Sequence, residues 1–270
     1  SGSIERPIVF GNNDTPGILL SSAAKEYMKV YGVLVGKKPL IFTNNDSAYE
    51  TAIEFKKNGI NPIVLDSRKE LNSDLITEAK NLGIDIKFEH VVVNANGYRK
   101  VKSADIAKIS EDKTNLGKIE NIACDCICVS GFWTPTIHLA SQSGGKTKFN
   151  EDIDAFIPSQ SKQNETTVGS ANGIFNLNDT LKNSFEAGYE LSKKITSKEN
   201  KLSVPAVVEK KNSKHDKFWC VPLPKGKKYK RFLDFQNDVA VSDIELALRE
   251  GYRSIEHVKR YTTLGMATDQ

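Results

Sequence analysis

Residues 38–66 admit few folds. Pro39-Leu-Ile-Phe-Thr43 reads as a short apolar strand, Asn44-Asn-Asp-Ser-Ala48 as a tight turn, and residues 49–57 as a helix stopped by Asn58-Gly59; Ile60-Asn-Pro-Ile-Val-Leu-Asp66 then supplies a second strand. Two strands joined through a helix must run parallel, and the crossover must be right-handed, so the chain belongs to the α/β class. The helix agrees with this. Ala52, Ile53 and Phe55 fall near one face, whereas Lys56 and Lys57 turn to water. A second round follows, with a helical pattern over residues 71–82, a stop at Gly83, and an alternating strand over residues 84–93 before a turn at Asn94-Ala-Asn-Gly97. Ile122-Ala-Cys-Asp-Cys-Ile-Cys-Val129 reads as one buried strand, leading to the small-residue turn Ser130-Gly-Phe-Trp-Thr-Pro135. Val168-Gly-Ser-Ala-Asn-Gly173 repeats that plan before a helix over residues 177–194. Such strand ends are where open parallel sheets bind ligands.

The chain has 270 residues, 39% of them hydrophobic, which is enough for two domains or one doubly wound domain with an appendage. Its 38 basic residues against 34 acidic ones are too evenly matched for nucleic acid, but they leave small anions as ligands. No run approaches the roughly eighteen apolar residues of a membrane span. Ser1-Gly2-Ser3 has none of the features of a signal peptide and reads as an expression scar, so the expected location is cytoplasmic. Cys124, Cys126 and Cys128 alternate along the expected strand and so share one face. Same-face residues lie roughly 6.6–6.8 Å apart, too far for three thiolates to surround one metal. They read as core cysteines of a reducing compartment, and no metal site is expected around Cys220 with His215 and Trp219.

Three places can carry ligand chemistry. The first is the turn Thr43-Asn-Asn-Asp-Ser-Ala48, in the position of a glycine-rich dinucleotide loop; its asparagines tolerate left-handed backbone and Ser47 can cap the helix, but Asp46 puts negative charge where a pyrophosphate would sit. Asp66 holds the position of a ribose-binding acid. The second is Gly169, Ser170, Asn172 and Gly173, a candidate phosphate or ribityl cradle that a close-packed strand–helix turn explains equally well. The third is the closing segment, where His257, Lys259, Arg260, Thr262 and Thr263 offer cations and hydroxyls suited to a phosphate, or a basic helix end that complements its own dipole. Gly11-Asn-Asn-Asp-Thr-Pro-Gly17 reads as a ligand-facing loop or as ordinary turn chemistry. Residues 197–230 are polar, lysine-rich and broken by Pro205, Pro222 and Pro224, as in a linker or surface arm; residues 243–250 and 254–261 form two short helices.

Phe42-Thr-Asn-Asn-Asp-Ser-Ala-Tyr49 and Arg253-Ser-Ile-Glu-His-Val-Lys-Arg-Tyr-Thr-Thr-Leu-Gly-Met-Ala-Thr-Asp-Gln270 carry a resemblance to the alpha subunit of heterotetrameric sarcosine oxidase. The resemblance implies Rossmann-like nucleotide-binding domains of the disulfide-reductase type in three layers, with a small C-terminal helical module. Residues 1–36 then end the first leg of the FAD/NAD-type domain, 37–118 form an inserted second nucleotide-binding-like domain, 119–196 the return leg, 197–230 a linker or arm, and 231–270 the helical module. It also implies NAD in the first nucleotide domain, with Gly169 to Gly173 near it, and FMN at an interface with the beta subunit, near Lys259, Arg260, Thr262 and Thr263. The opening glycine turn and the folate domain of the family are missing, so the chain looks like an internal fragment.

The helical module resembles ones that hold an iron–sulfur cluster, but Asp234-Phe-Gln-Asn-Asp-Val239 has no cysteine, and no cluster is expected. The functional expectation is a cofactor-binding portion of a sarcosine oxidase subunit in a hetero-oligomer, an oxidoreductase component with no catalytic residue of its own. A noncatalytic subunit-interaction scaffold and a subunit of another NAD- or flavin-dependent amine dehydrogenase are the alternatives, together with a self-sufficient NAD-dependent dehydrogenase, against which Asp46 argues.

Overall fold

The structure, a computed structural model, describes residues 2–196, 203–205, 207–208 and 211–266. The chain divides into two compact units, Ser1–Arg6 with Trp133–Lys211 and Pro7–Phe132 with Asn212–Gln270. Strand β1 (Ser3–Glu5) opens the smaller unit. The larger unit then runs β2 (Ile18–Leu20), α1 (Ser21–Lys29), β3 (Pro39–Thr43), α2 (Ser47–Lys57), β4 (Ile63–Asp66), α3 (Asp74–Asn81), β5 (Asp85–Phe88), β6 (His90–Gly97), β7 (Val101–Ile109), β8 (Leu116–Ala123) and β9 (Cys126–Ser130). Strands β2, β9, β3, β4 and β5 form a parallel sheet in that order, and β6, β7 and β8 an antiparallel one.

The parallel sheet is buried on both faces, as its near-continuous apolar strands require. Alternation along β3 assigns the faces. Leu40 and Phe42 join Leu65, Ile127 and Val129 in a core shared with Val91, Ala104 and Ile106 of the antiparallel sheet. Ile41 joins Val64, Cys126 and Cys128 in a second core shared with Ala24 of α1, Ala52 and Phe55 of α2, and Ile76 and Ala79 of α3. The unit is therefore three layers deep: helices, parallel sheet, antiparallel sheet.

The βαβ unit stands as the sequence predicts, and four local expectations change. Residues 84–93 are not one strand; Glu89 takes a left-handed φ of 55°, which ends β5 and sends β6 into the antiparallel sheet. Asn94-Ala-Asn-Gly97 stays within β6 because Asn94 and Asn96 bond to Asn12, Asp105 and each other, and the chain bends at residues 98–100 instead. Residues 122–129 also split. The Asp125 carboxylate accepts from the Lys37 and Lys38 amides at 2.8 and 2.7 Å, drawing the chain out of strand pairing, so Cys124 faces the core opposite to that of Cys126 and Cys128. Finally, Ser47 does not cap α2: its hydroxyl bonds Asn45 Oδ1, which also accepts the Ser47 amide.

In the smaller unit, β1 pairs with β10 (Trp133–Pro135), followed by α4 (His138–Gln142), the hairpin β11 (Lys146–Asn150) and β12 (Ala155–Gln160), a 3₁₀ turn at Gly169–Asn172 and α5 (Leu177–Thr196). Arg6 ties this unit together by donating to the Ile153 and Asp154 carbonyls at 2.8 and 3.0 Å. The larger unit closes with β13 (Phe232–Asp234), β14 (Val239–Ala240), α6 (Val241–Arg249) and α7 (Ile255–Thr262). Among the described residues no helix is long and apolar enough to cross a membrane.

Gly36 shows how tightly the parallel sheet is wrapped, because a Cβ there would lie 2.4 Å from Cys126 Sγ and 2.7 Å from Asp125 Oδ1. Gly36→Ala is expected to destabilise the chain by about 1–3 kcal/mol in urea denaturation. Cys124, Cys126 and Cys128 are buried and Cys220 is exposed. Thiol titration of native protein should therefore label Cys220 first, with the other three reacting only on unfolding; burial pushes the Cys124 thiol up to about 12.

Candidate functional site

Strand register brings Thr43, Asp66 and Ser130 side by side at the carboxyl edge of the parallel sheet. From β3 the chain leaves toward β4 on one side, while β9 lies on the other; this is the switch point where such sheets hold ligands. The turn after β3 is knitted by its own side chains. Thr43 Oγ1 donates to the Asn45 carbonyl, and Asn45 Nδ2 donates to Ser130 Oγ at 3.0 Å. Asn44 and Asn45 are not among the non-glycine residues with positive φ, so side-chain bonding rather than left-handed backbone shapes the turn.

The edge carries a buried ion cluster. Arg68 donates through Nε and Nη2 to the two Asp66 oxygens at 2.9 and 2.7 Å, and its Nη2 lies 2.8 Å from Asp46 Oδ1. Arg68 is 4% exposed, Asp46 6% and Asp66 0%. Tyr49 donates its hydroxyl to Asp66 at 2.8 Å. Burial works against the Arg68 charge, but its bonds to Asp66 and the Asp66 and Asp46 charges outweigh this and hold the guanidinium above its ordinary value. Burial, reinforced by the Asp66 charge, pushes the Tyr49 phenol up as well. Asp66 is thus engaged on both oxygens and does not face a ribose.

The remaining space is taken by residues 213–219. Ser213 N donates to Asp46 Oδ2 at 2.6 Å, and Arg68 Nη1 to the Lys214 carbonyl at 3.0 Å. Asn44 Nδ2 reaches the Asp216 and Phe218 carbonyls at 2.8 and 3.1 Å, and the Asp216 amide returns a bond to the Asn44 carbonyl at 2.9 Å. Lys113 pairs with Asp216 at 3.0 Å, and Trp219 Nε1 donates to the Gly131 carbonyl at 2.6 Å. The His215 ring stacks on Phe132 at 3.8 Å, with the planes 6° apart. Phe132 has a φ of 76°, a left-handed conformation that is strained for a bulky side chain. Within this edge Asp46 and Asp66 are paired with Arg68, and Asp216 with Lys113. The edge does not fit a pyrophosphate.

The other two candidate groups lie in different units. Gly169 and Gly173 have φ of 65° and 77°. A Cβ on Gly173 would press within 3.0 Å of Ile153 and Ile157, and one on Gly169 would lie 3.1 Å from Thr180. The Gly169 amide bonds Asn183, and those of Gly173 and Ile174 bond within the turn that also contains Ser170 and Asn172. In the larger unit, Lys259, Arg260 and Thr262 ride on α7 and Thr263 caps it at a φ of 63°. Thr262 Oγ1 donates to the Val258 carbonyl and Thr263 Oγ1 to the Thr262 carbonyl, while Arg260 is exposed. Asp234 Oδ2 anchors the end of this segment by accepting the Gly265 amide at 2.9 Å. The Gly11–Gly17 loop is bonded to the later chain of its own unit: Asn13 exchanges two bonds with Phe232, and Asn12 N bonds the Lys230 carbonyl. Among the described residues no cluster of His, Cys, Asp and Glu could hold a metal.

Residues 228–270 match the sarcosine oxidase A3 domain. The whole chain aligns at 34% identity with the sarcosine oxidase subunit alpha of Rhizobium meliloti and at 32% with that of a Corynebacterium. Along its whole length the chain is similar to these sarcosine oxidase alpha subunits. It spans 26% and 28% of the length of these two relatives. In fold it is similar to L-proline dehydrogenase from P. horikoshii, with a TM-score of 0.56 and 20% identity over 99% of this chain and 48% of that one. It is also similar to a flavoprotein disulfide reductase from Escherichia coli, with a TM-score of 0.52 and 14% identity over 74% and 44%. The α/β, disulfide-reductase-type fold expected from the sequence is thus established.

Removing Arg68 strands two buried carboxylates, so Arg68→Ala is expected to cost about 3–5 kcal/mol of unfolding free energy in chemical denaturation. A pH effect is expected at Asp234, which hydrogen bonds from Gly265 and Asn237 hold below the ordinary aspartate range. With the native value depressed, its stabilisation is complete above the unfolded value of about 3.9 and fades as pH falls through the native one. Thermal melts between pH 6 and the acid limit should show wild type losing its advantage over Asp234→Asn on the acid side.

Proposed function

We propose that this chain is the cofactor-binding portion of a sarcosine oxidase alpha subunit, serving the oxidative demethylation of sarcosine by a multi-subunit complex. The observation that carries the reading is similarity to two such subunits along the entire chain, joined to the A3 match over residues 228–270. In this reading the chain provides binding surface and no catalytic residue. Lys259 and Arg260 in this reading hold the phosphate of FMN beside a beta subunit, as cationic donors suit that group, while Thr262 and Thr263, whose hydroxyls donate to the Val258 and Thr262 carbonyls, shape the helix end beside it. On the same reading, Gly169, Ser170, Asn172 and Gly173 form the turn beside NAD, with the two glycines giving the turn its left-handed backbone and close packing on Ile153, Ile157 and Thr180. A flavin supplies the electron acceptor for amine oxidation, while the residues of this chain bind and orient it.

A noncatalytic docking scaffold is the second reading. It is favoured by the apolar side chains left in solvent, among them Leu177, Phe185, Leu191 and Ile195 of α5 and Val30, Tyr31 and Val33 after α1.

Replacing Lys259 and Arg260 together by Ala in the assembled complex is expected to lower FMN content at least tenfold, read from flavin absorbance after release, with helicity unchanged. Full FMN content with intact assembly would remove these residues from the site. Loss of assembly together with flavin would favour the scaffold reading.

A further inference from the structure

We infer that residues 213–219 are a built-in occupant of the parallel sheet's ligand crevice, so that this nucleotide-type fold is closed to dinucleotides by its own chain and any nucleotide site of the protein lies elsewhere. The inference rests on the larger unit alone and stands whether or not the proposed sarcosine oxidase role holds.

The strap meets the crevice as a ligand would. An adenine or nicotinamide ring needs a flat partner, and the His215 imidazole lies flat on Phe132 at 3.8 Å. A phosphate needs amides and a cation at the turn after the first strand. Here the Asn44 carbonyl and side chain face the Asp216 amide and the Asp216 and Phe218 carbonyls, and the single buried guanidinium, Arg68, is spent on Asp46, Asp66 and the Lys214 carbonyl. A ribose needs a free carboxylate, whereas both oxygens of Asp66 are taken by Arg68 and Tyr49. The aromatic ring, the guanidinium and the acid that would recognise a dinucleotide thus already have partners within the chain. The strap is also fastened along its length: Ser213 N bonds Asp46, Lys113 reaches across to Asp216, Phe218 and Val221 enter the core, and Val221 N bonds the Val9 carbonyl. A dinucleotide entering here must break these bonds and bring its phosphates beside the buried Asp46 and Asp66 carboxylates.

Hydrogen exchange of the full chain, read by mass spectrometry with and without millimolar NADH, tests the inference. The amides of Ser213, Asp216 and Val221 should exchange slowly in wild type and be unaffected by NADH. Asn44→Ala, which removes two bonds to the strap, should speed exchange at Ser213 and Asp216 roughly tenfold while β4 and β5 stay protected. If NADH binds and its protection falls on residues outside 43–68, 130–132 and 213–221, the closed crevice is upheld. NADH-dependent change at residues 43–46, 66–68 or 213–219 in wild type would overturn it, as would exchange of the strap at the rate of an unstructured peptide.

Discussion

The Arg68 guanidinium, held between Asp46 and Asp66 with almost no access to water, is the constraint on which the larger unit depends. Taking three charged groups out of water costs several kcal/mol per ion, and the cost is offset only where geometry and remaining hydrogen bonds are complete. The fold supplies both. Parallel register sets Asp66 beside Thr43, α2 delivers Tyr49 to Asp66, and the strap brings Ser213 to Asp46 and the Lys214 carbonyl to Arg68. The cluster thereby fastens strand ends, helix and a distant segment at one point. An open, solvated crevice would leave the same carboxylates and guanidinium to compete for water, and the segment would lose its polar anchors.

This arrangement explains how a nucleotide-type sheet can persist without a glycine-rich loop. Glycines at that turn let backbone approach a pyrophosphate. Here no phosphate has to be approached, and asparagine side chains satisfy the turn in its place, with Asn45 bonded to Ser130 and Ser47 and Asn44 bonded to the strap. Asp46, unfavourable beside a phosphate, becomes favourable beside Arg68. The similarity to sarcosine oxidase alpha subunits is then compatible with a parallel sheet that works as architecture, the proposed cofactor contacts being at Gly169–Gly173 and on α7.

Much of the fold was legible from local pattern. The run from Pro39 to Asp66 had strand length, helix periodicity and stops in order, and β3, α2 and β4 formed where those signals stood; the two short helices near the C terminus followed in the same way. The failures have physical causes that pattern does not carry. Glu89 breaks a strand by adopting positive φ, which no composition rule flags for glutamate. Asp125 breaks another by binding the Lys37 and Lys38 amides 88 and 87 residues away. Of the crevice, the sequence showed Asp46 as an obstacle to phosphate. Asp66-Ser-Arg68, an acid and a guanidinium two residues apart, was a local signal of the pairing that went unread.

The sequence by itself determined the α/β class, the parallel βαβ unit and the unsuitability of Asp46 for phosphate, because these follow from periodicity, turn chemistry and charge within a few residues of one another. Only the tertiary structure decided what fills the crevice. Asn44 and Asp216 are 172 residues apart, and Arg68 and Lys214 are 146. On the side of residues 213–219 the bonds between them are accepted by backbone carbonyls, which every residue carries and which therefore leave no mark in the sequence. The polar, proline-broken composition of residues 197–230 reads as a linker or surface arm until the sheet edge is present to receive residues 213–219.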